Sequence, residues 1–221
     1  MIAETAAWLD LLYSGCTADD GQLVVVHSSK RYPVAIHTVG TGKDLVEAAT
    51  DMHNHVGCYL KINLMDWEMM EERRRIEQKA AVVGGINEVK TIVSIQLDVD
   101  AGKSSRYVSR RHALHALDRM PFPPSLIINS NGDNGGFHAY WVLEKPYRIP
   151  SVAKRKQLQK VAAAWNDKLK ELCNGKLDST SNLDRVLRVV GVPRTDGGKV
   201  CLHSYDPSRL YDLNDFRKAV T

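Results

Sequence analysis

Four residues stand where their types and spacing allow phosphoryl chemistry: Asp98, Asp100, Asp178 and His138. Leu97-Asp98-Val99-Asp100 closes an apolar run. Successive side chains on a strand point to opposite faces, so Asp98 and Asp100 share a face while Val99 turns away. Two residues of rise separate the carboxylates by roughly 6.5–7 Å. From that spacing both can ligate a pair of Mg²⁺ or Mn²⁺ ions lying ~3.5–4 Å apart. Paired acids leaving an apolar stretch repel each other and favour a cation. Taken alone, acids at a strand end are also the ordinary polar start of a loop.

Two further stretches add to the pair. Ser130-Asn131-Gly132-Asp133-Asn134-Gly135-Gly136 joins two apolar strands, the second of which opens with Phe137-His138. Its glycines allow close backbone approach to a ligand, and neighbouring N–H groups can form an anion nest. His138 is placed to donate to a triphosphate or a 3′-hydroxyl; the plainer alternative is a hairpin turn with a packed histidine. Alternation along this strand puts His138 and Tyr140 on one face, and Phe137, Ala139 and Trp141 on the other. Downstream, Leu177-Asp178 offers a third acid beside the sheet. Arg185, Arg188 and Lys199 follow it as phosphate-neutralising cations, with arginine supplying bidentate geometry. Asp184 competes for the third acid position, its alternative being a local pair with Arg185.

Taken in order, these stretches resemble the archaeo-eukaryotic primase superfamily, and within it the primase–polymerase and RepB-like primase domains of phages and plasmids. LDVD resembles the first motif of the family, SNGDNGGFHAYWVL the second, and LDSTSNLDRVLRVVGVPRTDGGK the third. The match covers residues 92–205. Two places depart from the pattern: Gly136 stands where a serine is usual, and Val190-Gly191-Val192-Pro193-Arg194-Thr195 replaces a continuous Pro-Gly-Thr. The resemblance implies an α+β fold of mixed sheets with packed helices, in which an N-terminal αβ module meets an RRM-like catalytic module. It implies one catalytic domain over residues 1–221, which a longer replication protein would carry at its N-terminal end. Asp98, Asp100 and Asp178 would hold two Mg²⁺ or Mn²⁺ ions, and Ser130, His138, Arg188 and Lys199 would bind nucleotide. The expected activity is template-directed nucleotidyl transfer, as a DNA primase or polymerase in phage, plasmid or mobile-element replication. A DNA template and NTPs or dNTPs are the implied partners, with a helicase domain or subunit beside them. Two rivals remain open: a metal-dependent nuclease, and a non-catalytic origin or single-strand DNA binder.

The elements that must position these residues are legible in outline. Helices are expected over residues 3–13, 43–55, 67–79, 106–120 and 151–173, and from 214 onward. Strands are expected at QLVVVHSS, YPVAIHTVG, CYLKINL, TIVSIQLDVD, SLIIN, FHAYWVL, RVLRVV and KVCLHSY. This alternation, without a βαβ repeat, permits a mixed sheet with helices against it. GTGKD at residues 40–44 is not a P-loop, because the pattern needs Gly at 37 and Ser or Thr at 44, where His37 and Asp44 stand. His53 and His55 read as structural.

Bulk composition narrows the class. The chain has 221 residues, 43% hydrophobic and 25% charged, with a net charge of +4. Basic charge concentrates in residues 151–221, with 14 Lys+Arg against 8 Asp+Glu. That asymmetry fits a phosphate-facing third or a solvated basic helix equally. Cys16, Cys58, Cys173 and Cys201 are scattered without a CxxC pair, which argues against structural zinc and for reduced thiols. No apolar run approaches the ~18–20 residues that cross a bilayer. The first residues carry Glu4 and Asp10 in place of a basic n-region. A cytoplasmic protein with no membrane partner is expected.

Overall fold

The structure, a computed structural model, describes residues 1–102, 104, 106–132 and 135–220. Along the chain run α1 (Ile2–Tyr13), β1 (Gln22–Val26), β2 (Pro33–Thr38), α2 (Gly42–Met52), β3 (Tyr59–Lys61), β4 (Leu64–Met65) and α3 (Trp67–Ile76). There follow β5 (Val89–Val99), α4 (Arg110–Leu117), β6 (Leu126–Asn129), β7 (Phe137–Arg148), α5 (Val152–Leu172), β8 (Val186–Arg188), β9 (Cys201–Tyr205) and α6 (Leu213–Ala219). Among the described residues no helix is long and apolar enough to cross a membrane.

Local chemistry sets several boundaries. The GTGKD stretch starts a helix: Thr41 N donates to Asp44 Oδ2 at 2.9 Å, and Asp44 N donates back to Thr41 Oγ1 at 3.2 Å. This capping box satisfies two amides that the first turn of α2 leaves open. α4 is shorter than the expected 106–120. It begins after Ser109, whose hydroxyl accepts from His112 N, and residues 118–120 close with 3₁₀-type bonds from Arg119 N to Ala116 O and from Met120 N to Leu117 O.

The class is α+β, as expected. The nine strands form one sheet in the order β8-β3-β1-β4-β5-β7-β6-β9, with β2 on β1. Every pairing between these strands is antiparallel, where a mixed sheet was expected. The parallel relation survives at one remove. β5, α4 and β6 make a split βαβ unit with β7 inserted antiparallel between its two strands, as an RRM-like module requires. At the two ends of the order, β8 and β9 are joined by residues 189–200, where Gly191 N donates to Val200 O at 2.8 Å. The two edges therefore meet, and the sheet curls back toward itself.

Apolar alternation on β5 breaks between Ile92 and Ile95, and the structure places a bulge between Ile92 and Ser94. β5 advances two residues there while β7 advances five, from Tyr147 to Val142, and this odd difference resets which side chains face which way. Beyond the bulge, Ile95, Leu97 and Val99 join Phe137, Ala139 and Trp141 on one face, under Leu158, Val161 and Trp165 of α5 and Ala113 of α4. The opposite face carries Ser94, Gln96 and Asp98 on β5 beside Val142, Tyr140 and His138 on β7. α1 covers part of that face, with Trp8 meeting Tyr140 edge-on at 6.4 Å. The bulge thus decides that the acid shares a face with the histidine.

Candidate active site

Asp98 and His138 are direct cross-strand partners at the ends of β5 and β7. Side chains so paired lie about 4.5–5.5 Å apart at Cβ. Asp98 Oδ1 is 3.6 Å from His138 Nε2, and Asp98 Oδ2 accepts from Arg185 Nη2 at 2.7 Å. His138 is only 2% exposed. Burial drives its pKa down to about 4, with Arg188 and Arg185 adding to the effect and Asp98 and Asp100 opposing it. The imidazole is therefore neutral at neutral pH, with one ring nitrogen free to donate. Tyr140 Oη sits 3.4 Å from its Nδ1.

The turn before His138 is packed directly against the acids. A Cβ on Gly136 would lie 2.7 Å from Val99 O and 3.5 Å from Asp100 Oδ1. Here the missing side chain lets the turn touch the strand end. Ser130 N, Ser130 Oγ and Asn131 N all donate to Gly136 O, at 3.2, 2.9 and 3.3 Å. Those two amides point into the turn, not outward as an anion nest would need. Arginines grip its outside. Arg188 Nη1 donates to Ser130 O at 3.3 Å and Asn131 Oδ1 at 3.0 Å, and Arg194 Nη1 reaches Ser130 O at 3.4 Å. Arg110 donates to Gly135 O at 2.8 Å and to Asn129 Oδ1. Asp133 and Asn134 lie outside the described residues.

The remaining expected residues are placed as follows. Asp178 accepts from Tyr107 Oη at 3.1 Å and lies 3.7 Å from Arg106 Nη2. Its segment is stitched to the one that leaves Asp100, because Val108 N donates to Lys176 O and Gly102 N to Val108 O. Asp184 does not pair with its neighbour Arg185. Its main-chain oxygen accepts from Lys61 Nζ at 2.6 Å, its carboxylate lies 3.8 Å from that ammonium, and Arg185 turns to Asp98 instead. Lys199 is exposed and bridges Pro193 through the backbone. His53 Nε2 meets Thr5 Oγ1 at 2.9 Å and His55 Nε2 lies 3.7 Å from Asp51, which are structural contacts.

Sequence inspection missed Lys30, Tyr59 and Arg110. Lys30 Nζ lies 4.6 Å from the Tyr59 ring centre, and Arg188 stands over the same ring at 5.6 Å. No local motif marks any of the three, which come from the β1–β2 turn, from β3 and from the start of α4.

Asp98 and Asp100 offer hard carboxylate oxygens, the donor chemistry that suits Mg²⁺ and Mn²⁺. Among the described residues no group of three or more His, Cys, Asp or Glu is arranged to hold a metal. A two-carboxylate set still fits these ions, which are commonly held by one or two carboxylates with substrate phosphates and water completing the shell.

No family model matches the chain, and no curated protein matches it in sequence. Solved structures do match in shape. The AEP domain of the cyanophage S-2L primase–polymerase superposes with a TM-score of 0.58 at 18% identity, over 99% of this chain and 97% of that one. The catalytic domain of the primase RepB′, solved in complex with initiator DNA, superposes with a TM-score of 0.52 at 8% identity, over 98% and 93%. With its split βαβ unit, its acid and histidine paired across β5 and β7, and these two likenesses along nearly its whole length, the chain has the archaeo-eukaryotic primase-type fold.

Proposed function

We propose that this chain catalyses template-directed nucleotidyl transfer, as a DNA primase or polymerase in phage, plasmid or mobile-element replication. The observation that carries the reading is the direct pairing of Asp98 with His138 at one sheet end, with Asp100 against Gly136 and four arginines, Arg110, Arg185, Arg188 and Arg194, around them. Asp98 and Asp100 are the metal ligands proposed; Asp178, which contacts Tyr107 and Arg106, would have to leave them to join as the third acid. When bound, Mg²⁺ or Mn²⁺ would supply Lewis-acid stabilisation of phosphate charge at these carboxylates. The residues themselves position and screen. His138, neutral and buried, donates to a phosphate or sugar oxygen of the incoming nucleotide, and its burial keeps water from that contact. Arg185 and Arg188 offset the charge of the polyphosphate, and Ser130 holds the turn that carries His138. Exposed Lys199 adds positive charge at the rim. Preorganised donors of this kind provide most of what a protein contributes to phosphoryl transfer.

Incubation with a labelled primer–template, NTPs or dNTPs, and Mg²⁺ or Mn²⁺ tests the reading. Extension of the primer is expected, and its loss in Asp98→Asn and Asp100→Asn with the circular dichroism unchanged. Shortening of the label would identify a nuclease. Salt-dependent DNA binding without turnover would identify a binding domain.

A further inference from the structure

The turn joining β1 to β2 brings a lysine over Tyr59 of β3, the cross-strand neighbour of Arg188. It is braced by its own contacts: His27 N donates to Tyr32 O at 3.0 Å, Lys30 N to His27 O at 2.7 Å, and Ser29 N to His27 Nδ1 at 3.1 Å. The rings of His27 and Tyr32 stack at 4.7 Å. Lys30 itself adopts φ +58°, the left-handed region that glycine and asparagine occupy more readily than lysine. Nothing in the turn's hydrogen bonding needs the lysine side chain.

That side chain reaches a crowded electrostatic site. Its ammonium rests 4.6 Å from the ring centre of Tyr59, and Tyr59 pairs directly with Arg188 across β3 and β8. Burial lowers the pKa of Lys30, while Asp98 and Asp100 pull it upward and Arg185 and Arg188 push it down, so all four charges lie within its field. The two arginines are held by protein oxygens, Arg185 by Asp98 and Arg188 by the Ser130 turn. The ammonium rests on a ring face, an attraction that a phosphate oxygen readily replaces.

We propose that Lys30 binds the polyphosphate of a nucleoside triphosphate at the Asp98–Asp100 site, swinging off Tyr59 to do so. A compact ammonium on a flexible stem suits a terminal phosphate, whereas the planar arginines suit bidentate contacts. The identity of the anion rests on the nucleotidyl-transfer reading; the cation site does not.

The test uses Lys30→Gly and Lys30→Met in the full chain. Binding of inorganic tripolyphosphate, a non-hydrolysable nucleoside triphosphate and single-stranded DNA is measured by calorimetry with Mg²⁺ present, alongside the unfolding midpoint and primer extension. Lys30→Gly is expected to leave the midpoint equal or higher, because glycine fits φ +58°. Both variants are expected to bind tripolyphosphate and triphosphate about ten- to a hundredfold more weakly, the scale of one charge-assisted hydrogen bond. Their DNA affinity should stay within about threefold. A tripolyphosphate affinity unchanged in both variants overturns the proposal, as does a loss confined to DNA. If the unmodified chain binds tripolyphosphate through Lys30 yet never extends a primer, the polymerase reading fails while the Lys30 site stands.

Discussion

Asp98 makes two contacts that point to different uses. Its Oδ2 is neutralised by Arg185 at 2.7 Å, and its Oδ1 faces a neutral His138. An arginine on a proposed metal ligand competes with the metal for the carboxylate, so Arg185→Met is expected to tighten Mn²⁺ binding. The effect should be about fivefold, the scale of a partly exposed ion pair worth about 1 kcal/mol. The same variant should weaken nucleotide binding. Calorimetric titration with Mn²⁺ checks this, and weaker metal binding would show that Arg185 orders the carboxylate instead of blocking it. His138 makes a separate prediction through pH. Its folded pKa of about 4 lies below the ordinary 6.5, so between those values the unfolded chain binds more protons. Stability from the neutral imidazole is then complete above pH 6.5 and is lost as pH falls toward 4. The full span amounts to about 3 kcal/mol. In metal-free urea unfolding, His138→Gln should therefore lose less stability between pH 7 and pH 4.5 than the unmodified chain does. An equal loss in both would mean that His138 is not the titrating group.

Among the elements, the turn at residues 130–136 and the end of β5 behave as one unit. Gly136 lies so close to Val99 O that any side chain must push the two apart. Overpacking of this kind typically costs about 1–3 kcal/mol. Gly136→Ser, which restores the residue usual in the resembled family, is expected here to lower stability by that amount and to slow primer extension by displacing Asp100. Thermal unfolding and extension rates read the two effects separately. A gain in activity with full stability would mean that the strand end yields easily. Ser130, whose hydroxyl donates to Gly136 O, closes the turn from within. The grip on the turn comes instead from Arg110, Arg188 and Arg194, on α4, on β8 and beyond β8.

Over the whole molecule, charge is divided between the two faces of the sheet. α5 packs Leu158, Val161, Ala162 and Trp165 on the face that bears Trp141, opposite His138. Its Lys154, Lys156 and Lys160 therefore stand behind the site. Replacing all three by glutamine is expected to leave unchanged the slope of log affinity against log salt for single-stranded DNA. Replacing Arg194 and Lys199, beside the turn, should reduce that slope by about 0.7 for each phosphate contact removed. A flattened slope in the α5 variant would place DNA on the helical face. The basic excess of the last third is thus split, and only part of it belongs to the front of the molecule.

The elements themselves were legible in the sequence because period and punctuation are local properties. The alternation of Phe137 to Trp141, the Ser151 start of α5 and the paired acids after Leu97 all depend on neighbours a few residues away. The third motif likewise announced its cations. The partners were not legible. Arg185 chooses Asp98, 87 residues away, over adjacent Asp184, and Lys61 takes Asp184 from 123 residues away. Lys30 enters from the first hairpin without any motif to mark it. A side chain's partner is fixed by strand order, by the bulge between Ile92 and Ser94 and by the meeting of β8 with β9. These are outcomes of burying both faces of one curled sheet, and no window of sequence contains them.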